Sequence, residues 1–280
     1  MIEETGAVLL SADFDYLCQL VLEHSSVVLE AGKEYLAEAR LLPIVREKQM
    51  NSLGQLVEEL RRKPCNGLHR EVVEAMLTNE TSFFRDVRPF DVIREMALPD
   101  LISKRASERT LNIWSGACSG GQEIYSLLML MKEYFPVLEG WKLRVIASDL
   151  SSQMLEKAQR GIFSQLEVNR GLPAAYLVKY FEKVGLDWEV HENFRKSIEF
   201  ISVNLTKPWP MLPAMDLVLM RNVMIYFDVE TKRRVLNQTA ELMKGDGYLF
   251  LGGVESTINL TDRFEIVPWK QSSCFWPNRV

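Results

Sequence analysis

Apolar residues recur at helical spacing over the first part of the chain. Four amphipathic stretches predict four helices, over residues 13–22, 35–50, 53–62 and 69–77. The third stretch stops before Pro64, where a helix is expected to end because the residue before proline disfavours helical geometry. The second stretch is expected to point four residues inward: Leu36, Ala39, Leu42 and Val45. No strand pattern appears before Thr110, so the sequence predicts an N-terminal all-helical domain over residues 1–90.

From Thr110 onward, short apolar runs alternate with helical patterns. Strands are expected over residues 111–114, 143–147, 198–203, 217–220 and 248–251. Ser151 is a plausible cap for the helix that follows the second strand. Gly245 and Gly247 are expected to form the turn between a helix over 228–244 and the last strand. The alternation predicts an α/β domain over residues 91–280, with a doubly wound and mostly parallel sheet that is covered on both faces.

A long segment, residues 165–196, separates the second helix of this domain from the next strand. Within it, Trp188 and Val190 alternate with charged residues, which is typical of a half-buried strand. The segment is therefore expected to form a short antiparallel hairpin outside the main sheet. An insertion of this length in a compact fold is usually functional.

Composition and charge exclude several classes of protein. The 280 residues are 47% hydrophobic and 25% charged, as in an ordinary globular protein. A net charge of −5 argues against binding to nucleic acid through bulk positive charge. No apolar run approaches the ~20 residues of a membrane-spanning helix, so no membrane insertion is expected. The opening residues Met1–Glu4 show no basic stretch before an apolar one, and no secretory signal is expected.

Cysteine and histidine are too scattered to predict a metal site. The four cysteines form no CxxC pair, and the three histidines lie far apart: Cys18, Cys65, Cys118, Cys274, His24, His69 and His191. A zinc site needs such residues in a cluster. We therefore expect no metal, and reduced thiols in a cytoplasmic protein.

A glycine-rich loop follows the first predicted strand and precedes a helix. The spacing of Gly116, Gly120 and Gly121 matches neither a Walker A loop nor a GxGxxG fingerprint. Asp149 lies at the carboxyl end of the next strand, where an acid can accept hydrogen bonds from both ribose hydroxyls. A loop without a phosphate cradle plus a ribose acid fits a nucleoside without phosphates, such as S-adenosylmethionine. Equally, Asp149 could cap the helix near Ser151.

Three longer motifs carry a family resemblance. Residues 79–86 read NETSFFRD, residues 113–126 read IWSGACSGGQEIYS, and residues 221–228 read RNVMIYFD. Together they resemble the CheR-type chemotaxis receptor methyltransferases, in the order in which that family carries them. The family loop usually has two acids and a proline where this chain has Gln122, Glu123 and Ile124. The hairpin around Gly185 is short and lacks the extra glycine-bearing loop of members that dock on a receptor's tail peptide.

The resemblance implies a fold of the S-adenosylmethionine-dependent methyltransferase type, with a helical domain first and a small antiparallel subdomain inserted over about 165–196. It implies transfer of a methyl group from S-adenosylmethionine to receptor glutamates, which leaves S-adenosylhomocysteine. The expected partner is the cytoplasmic helical bundle of a methyl-accepting chemotaxis receptor, and the enzyme is expected to be a monomer. A small-molecule methyltransferase on the same fold and a non-catalytic cofactor-binding signalling module are the alternatives.

The resemblance also assigns residue roles. Arg85, Arg221 and Tyr226 are the candidates for contacts to the transferred methyl group, the cofactor carboxylate or the incoming glutamate. Arg85 could otherwise form a surface ion pair with Asp86, and Tyr226 could be a packing residue. In the helical domain, Arg40, Arg46 and Lys48 are expected to face the acidic receptor.

The remaining candidates are expected to line the cofactor pocket, together with Arg85: Asn79, Thr81, Glu123, Asp149, Asn204, Leu205, Asn222 and Val223. Glu123 could pair with the cofactor's ammonium group, or could simply be a first-turn acid that the helix dipole favours. Asn79 could instead cap a helix. Asn204 and Leu205 follow a strand, where they could read the adenine edge.

Overall fold

A computed structural model describes residues 9–269 and 273–278. The opening residues Met1–Glu4, where no signal sequence is expected, lie outside these ranges. The contacts divide the chain into two compact units, one of Met1–Thr78 with Tyr226–Asp228 and one of Asn79–Ile225 with Val229–Val280. The first division falls at Thr78, before the predicted boundary at residue 90.

The first unit contains the four predicted helices: α1 (Ser11–Ser25), α2 (Glu34–Glu47), α3 (Leu53–Arg62) and α4 (Gly67–Met76). Ser52 caps α3 by accepting a hydrogen bond from Gln55 N–H, and Asn66 caps α4. The predicted inward face of α2 is wrong at three of four positions. The buried residues of α2 are Ala37, Leu41, Ile44 and Val45. They form a second regular helical stripe, and packing selects that stripe over the one predicted.

Two of the three basic residues that were expected to face a receptor instead contact other residues of the helical unit. Arg40 Nη1 donates to the Met76 carbonyl at 2.6 Å. Lys48 Nζ lies 3.0 Å from a carboxylate oxygen of Glu71. Both contacts join α2 to α4 or its carboxyl end, whereas Arg46 is exposed. The basic surface of α2 is therefore partly neutralised by the fold of the unit itself.

Ten strands lie among the described residues of the second unit: β1 (Thr110–Gly116), β2 (Lys142–Asp149), β3 (Ile162–Phe163), β4 (Phe181–Val184), β5 (Asp187–Val190), β6 (Ile198–Ser202), β7 (Met215–Met220), β8 (Met243–Leu251), β9 (Phe264–Ile266) and β10 (Cys274–Pro277). Seven form one sheet in the order β6-β2-β1-β7-β8-β10-β9. The pairs from β6 to β8 are parallel, and β10 is antiparallel to both neighbours. This is the mostly parallel α/β sheet expected from the sequence.

The helices of this unit are α5 (Arg88–Val92), α6 (Leu98–Lys104), α7 (Gln122–Tyr134), α8 (Ser152–Arg160), α9 (Gln165–Asn169), α10 (Ala174–Tyr180), α11 (Glu192–Lys196) and α12 (Val229–Leu242). A π-helical turn, Ile93–Ala97, joins α5 to α6. The apolar core combines sheet residues with the buried length of α7. Among the residues described, no helix is both long and apolar enough to cross a membrane.

The predicted glycine turn before the last strand of the parallel core is wrong. Strand β8 begins at Met243, directly after α12, and includes Gly245 and Gly247. Met215 of β7 pairs with Met243, and Leu217 pairs with Tyr248. Residues 244–247 therefore lie opposite the single residue 216, and the two glycines belong to a bulge that takes up the extra length.

The predicted hairpin is confirmed. Strands β4 and β5 pair antiparallel from Phe181↔Val190 to Val184↔Asp187, and β3 adds a third strand. The order β3-β5-β4 makes a sheet separate from the main one. A T-shaped contact between the Phe83 and Phe163 rings joins this subdomain to the segment that precedes α5.

Candidate functional site

The parallel strands bring the predicted site residues to one edge of the main sheet. Gly116 at the end of β1 is in register with Ser148, and Asp149 is in register with Ser202 of β6. On the other side of β1, Ser115 pairs with Leu219 of β7. The strand order reverses at β1, and ligands of open α/β sheets bind outside the carboxyl ends of strands at such a reversal.

The glycine-rich loop after β1 lies against the end of β2. Cys118 N–H donates to the Ser148 carbonyl at 2.8 Å, and Ser119 N–H donates to Asp149 Oδ2 at 2.8 Å. Gly121, with φ of 90°, precedes α7, and a Cβ there would lie 3.0 Å from the Ala158 Cβ. Only glycine combines this dihedral angle with this close approach of the loop to α8.

Asp149 is buried, and both of its carboxylate oxygens accept backbone hydrogen bonds. Besides the bond from Ser119, Oδ1 accepts from Ser151 N–H at 2.9 Å. The cap of α8 is Ser151, whose Oγ accepts from Met154 N–H at 3.2 Å. The predicted Ser151 cap is thus confirmed. Asp149 instead joins the glycine-rich loop to the turn before α8, and its carboxylate is held in a fixed orientation.

An ion-pair network around the buried Arg221 joins α7, the end of β7 and the segment 79–86. Glu123 Oε1 accepts from the Ser115 hydroxyl at 2.9 Å, and Glu123 Oε2 lies 2.9 Å from Arg221 Nη1. Arg221 Nη2 lies 3.0 Å from Asp86 Oδ2 and also donates to the Arg85 carbonyl at 2.8 Å. Only 1% of the Arg221 side chain is exposed. Its guanidinium therefore supports neighbouring groups of the protein.

Two further bonds hold the segment 79–86 against this edge. The Ser119 hydroxyl donates to the Asn79 carbonyl at 2.8 Å, and Phe84 N–H donates to Ser126 Oγ at 2.9 Å. No helix begins between residues 78 and 87, a stretch that the structure describes in full. Asn79 is therefore not a helix cap. Arg85, which is partly exposed, donates from Nη1 to the Glu80 carbonyl at 2.8 Å.

Asn204 and Leu205 follow β6 at the same edge. Asn204 Oδ1 accepts from both the N–H and the hydroxyl of Thr206, at 2.9 and 2.8 Å. A Cβ on Gly116 would lie 3.6 Å from Leu205 Cδ2. Leu205 thus lies beside the glycine-rich loop, and Asn204 fixes the turn that carries it.

Asn222 and Val223 follow β7. Their backbone N–H groups donate to the two carboxylate oxygens of Glu255 at 2.8 and 3.0 Å. Tyr226 belongs to the helical unit, in which its carbonyl accepts a hydrogen bond from Val28 N–H at 3.0 Å. The edge of the sheet thus brings together the predicted residues other than Tyr226, and Thr81 lies within the bonded segment 79–86.

Unusual backbone conformations concentrate in the same three segments. In the described part of the chain, nine non-glycine residues have clearly positive φ. Five of them lie in the segments 79–86, 113–126 and 221–228: Phe84, Asp86, Ala117, Ser119 and Asn222. Such conformations cost free energy and persist where the surrounding structure holds them, most often at functional sites.

Several residues of this site were not predicted. The Ser115 hydroxyl donates to Glu123, Asp86 pairs with Arg221, and Ser119 N–H donates to Asp149. Ser115, Asp86 and Ser119 all belong to motifs that the sequence analysis had identified. Glu255 lies outside every motif, and no sequence signal identified it. Burial, followed by the charges of Asp149 and Glu123, raises the pKa of the Cys118 thiol well above its ordinary value. Cys118 is therefore a neutral packing residue beside the two acids.

Comparison with known proteins identifies the family. The sequence model of the CheR methyltransferase, SAM binding domain, matches residues 79–272, and that of the CheR methyltransferase, all-alpha domain, matches residues 12–77. The chain belongs to the CheR methyltransferase family. Chemotaxis protein methyltransferase 1 of Pseudomonas aeruginosa is 38% identical over 261 residues, which cover 92% of this chain and 94% of that protein.

Two further CheR relatives show similar coverage. Chemotaxis protein methyltransferase Cher2 of Pseudomonas putida is 36% identical, over 91% of this chain and 94% of its own. Chemotaxis protein methyltransferase 1 of Vibrio cholerae is 34% identical, over 94% of this chain and 96% of its own. The similarity therefore includes both the helical unit and the sheet unit.

The donor set at the sheet edge fits S-adenosylmethionine. The cofactor carries a sulfonium, an ammonium group and two ribose hydroxyls, and the edge offers the carboxylates of Asp149 and Glu123. At the same edge, the buried Arg221 Nε and Gln122 Oε1 have no hydrogen-bond partner among the described residues. Within the described ranges, no group of three potential metal ligands is present.

Proposed function

We propose that this protein transfers a methyl group from S-adenosylmethionine to glutamate side chains of methyl-accepting chemotaxis receptors, forming glutamate methyl esters. The observation that carries the proposal is the convergence of the three motif segments at the reversal point of a parallel sheet, through Asp149, Glu123 and Arg221. The substrate surface would be the cytoplasmic helical bundle of the receptor. We further propose that the protein is a cytoplasmic monomer. In this role it would bind neither nucleic acid nor membrane and would need no metal.

The reaction requires little acid–base catalysis from the protein. S-adenosylmethionine, when bound, supplies an electrophilic methyl group on its sulfonium. The acceptor glutamate has an ordinary pKa of about 4.3, so it is already an anionic nucleophile at neutral pH. No residue of the chain needs to remove a proton. What remains for the protein is alignment, desolvation and the handling of charge.

Different residues at the edge of the sheet would carry out these tasks. Asp149, oriented by two backbone N–H groups, would accept the ribose hydroxyls. Glu123 would pair with the cofactor's ammonium group, and Arg85 would hold a carboxylate with its planar array of donors. Asn79, Thr81, Asn204, Leu205, Asn222 and Val223 would line the pocket. Arg221 would act through Glu123 and Asp86, which it binds directly.

A methyl-ester assay tests this function. The purified protein is incubated with methyl-labelled S-adenosylmethionine and the host's receptors, and the labelled receptor is treated with alkali. We expect the label to be released as methanol, because carboxyl methyl esters are labile to base and N-methyl groups are not. Heat-denatured enzyme is the control. Label that stays on the receptor after alkali, label on a small molecule only, or cofactor binding without any transfer would each contradict the proposal.

The Asp149→Ala change is expected to weaken S-adenosylmethionine binding by about 1.5–3 kcal/mol, because hydrogen bonds to a charged group contribute about that much. Isothermal titration calorimetry measures the change. The matched control is Ser151→Ala, which removes the cap of α8 and should cost stability of about 1 kcal/mol while leaving cofactor affinity unchanged. Equal affinity losses in the two variants would make Asp149 a purely structural residue.

A further inference from the structure

The carboxylate of Glu255 collects five backbone N–H groups from two loops. Oε2 accepts from Gly252 at 2.6 Å and from Asn222 at 2.8 Å. Oε1 accepts from Val223, Met224 and Ile225 at 3.0, 2.8 and 3.3 Å. Glu255 is only 8% exposed, so these are buried, charge-assisted hydrogen bonds, the stronger class in proteins.

Four of the five donors are consecutive residues that lead into the 3-10 turn Met224–Tyr226. Successive N–H groups in a turn conformation form a concave nest that binds an anion. Asn222 begins this curve with a φ of 59°, a conformation that costs free energy and must be held by its surroundings. The anion that holds it is the chain's own Glu255, in the loop after β8.

The backbone of Gly252 provides an independent sign of the same constraint. A Cβ at this position would lie 2.6 Å from Glu255 Oε2, 2.7 Å from Asn222 Nδ2 and 2.9 Å from Asn222 N. Asn222 N belongs to the nest itself, and Glu255 Oε2 is the acceptor that the nest holds. Any side chain at residue 252 would therefore separate the loop after β8 from the loop after β7.

We propose that Glu255 is a positioning residue for the cofactor site, which fixes the backbone of Asn222 and Val223 at the end of β7. The inference rests on the proposed function, in which these two residues line the cofactor pocket. Without the carboxylate, five N–H groups lose their acceptor and Asn222 can leave the left-handed region. The pocket wall that Asn222 and Val223 form would then be lost even though Glu255 itself does not touch the ligand.

The first experiment uses Glu255→Gln, which preserves size but replaces one acceptor oxygen with an amide that faces N–H donors. We expect the dissociation constant for S-adenosylhomocysteine to rise about 10-fold, because a loop that is binding-competent only about one-tenth of the time lowers the apparent affinity by that factor. Amide hydrogen exchange at residues 222–225 should accelerate in the ligand-free protein. Glu241→Gln, on the exposed side of α12, removes the same charge and should change neither quantity.

Two further variants separate positioning from a general loss of stability. In Glu255→Ala, added acetate should refill the nest and restore affinity, whereas chloride at the same ionic strength should not. A residue that only tethers the two loops could not be replaced by an unattached anion. Gly252→Ala keeps the carboxylate but blocks the close approach, and we expect it to weaken binding as Glu255→Gln does.

The outcomes distinguish a positioning role of Glu255 from a purely stabilising one. Unchanged affinity and exchange in Glu255→Gln would overturn the proposal, as would affinity that follows only the thermal stability of the variants and does not respond to acetate. Failure of the wild-type protein to bind S-adenosylhomocysteine would instead refute the proposed function. The exchange rates at residues 222–225 would still report whether Glu255 holds the loop.

Discussion

Replacing Arg221 with methionine is expected to lower the free energy of unfolding by about 3–5 kcal/mol, because removing one partner of a buried ion pair leaves the other charge uncompensated. The side chain of Glu123 is 12% exposed and pairs directly with Arg221. Methyl transfer should be lost as well, since both Glu123 and the segment 79–86 lose their common support. Urea unfolding followed by tryptophan fluorescence measures the stability change. Arg233→Met, at an exposed pair with Glu230, is the control and should change little.

A double variant shows whether Arg221 does more than stabilise. In Arg221→Met with Glu123→Gln, both charges are gone, so much of the lost stability should return. Cofactor affinity should stay low, because the neutral amide cannot pair with the ammonium group as a carboxylate does. Recovery of both stability and affinity in the double variant would show that neither residue serves the cofactor.

Arg85→Ala is expected to reduce methyl transfer by on the order of 100-fold or more, the cost typical of removing one charge-stabilising donor from an active site. The fold should survive, because the Arg85 side chain is partly exposed and donates only to the nearby Glu80 carbonyl among the contacts described above. Single-turnover transfer with saturating cofactor and receptor measures the effect. Circular dichroism and the unfolding midpoint verify the fold.

Two variants make the Arg85 result specific. Arg88→Ala removes the same charge from an exposed neighbour at the start of α5 and should leave transfer unchanged. Arg85→Lys keeps the charge but not the planar fork, so it should restore only part of the rate. Near-normal turnover in Arg85→Ala would make Arg85 a bystander.

The sequence predicted the elements whose patterns are local. All four helices of the first unit, the Ser151 cap and the hairpin were predictable because helical periodicity, capping chemistry and strand alternation each depend on a few neighbouring residues. The predictions were wrong where the local sequence pattern was compatible with more than one structure. The face of α2 and the role of Gly245 and Gly247 were decided by which side met the rest of the unit and by the register between β7 and β8.

The candidate site likewise has features that the sequence predicts and features that only the tertiary structure determines. The sequence by itself marked three segments by their family resemblance, and two of them follow parallel strands, whose carboxyl ends meet at one edge of the sheet. The tertiary structure alone decided that Arg221 is buried between Glu123 and Asp86, and that Glu255 holds Asn222 and Val223. These partners lie about 30 to 135 residues apart along the chain. No local pattern encodes such contacts, since they form only when separate loops are brought to the same edge of the sheet.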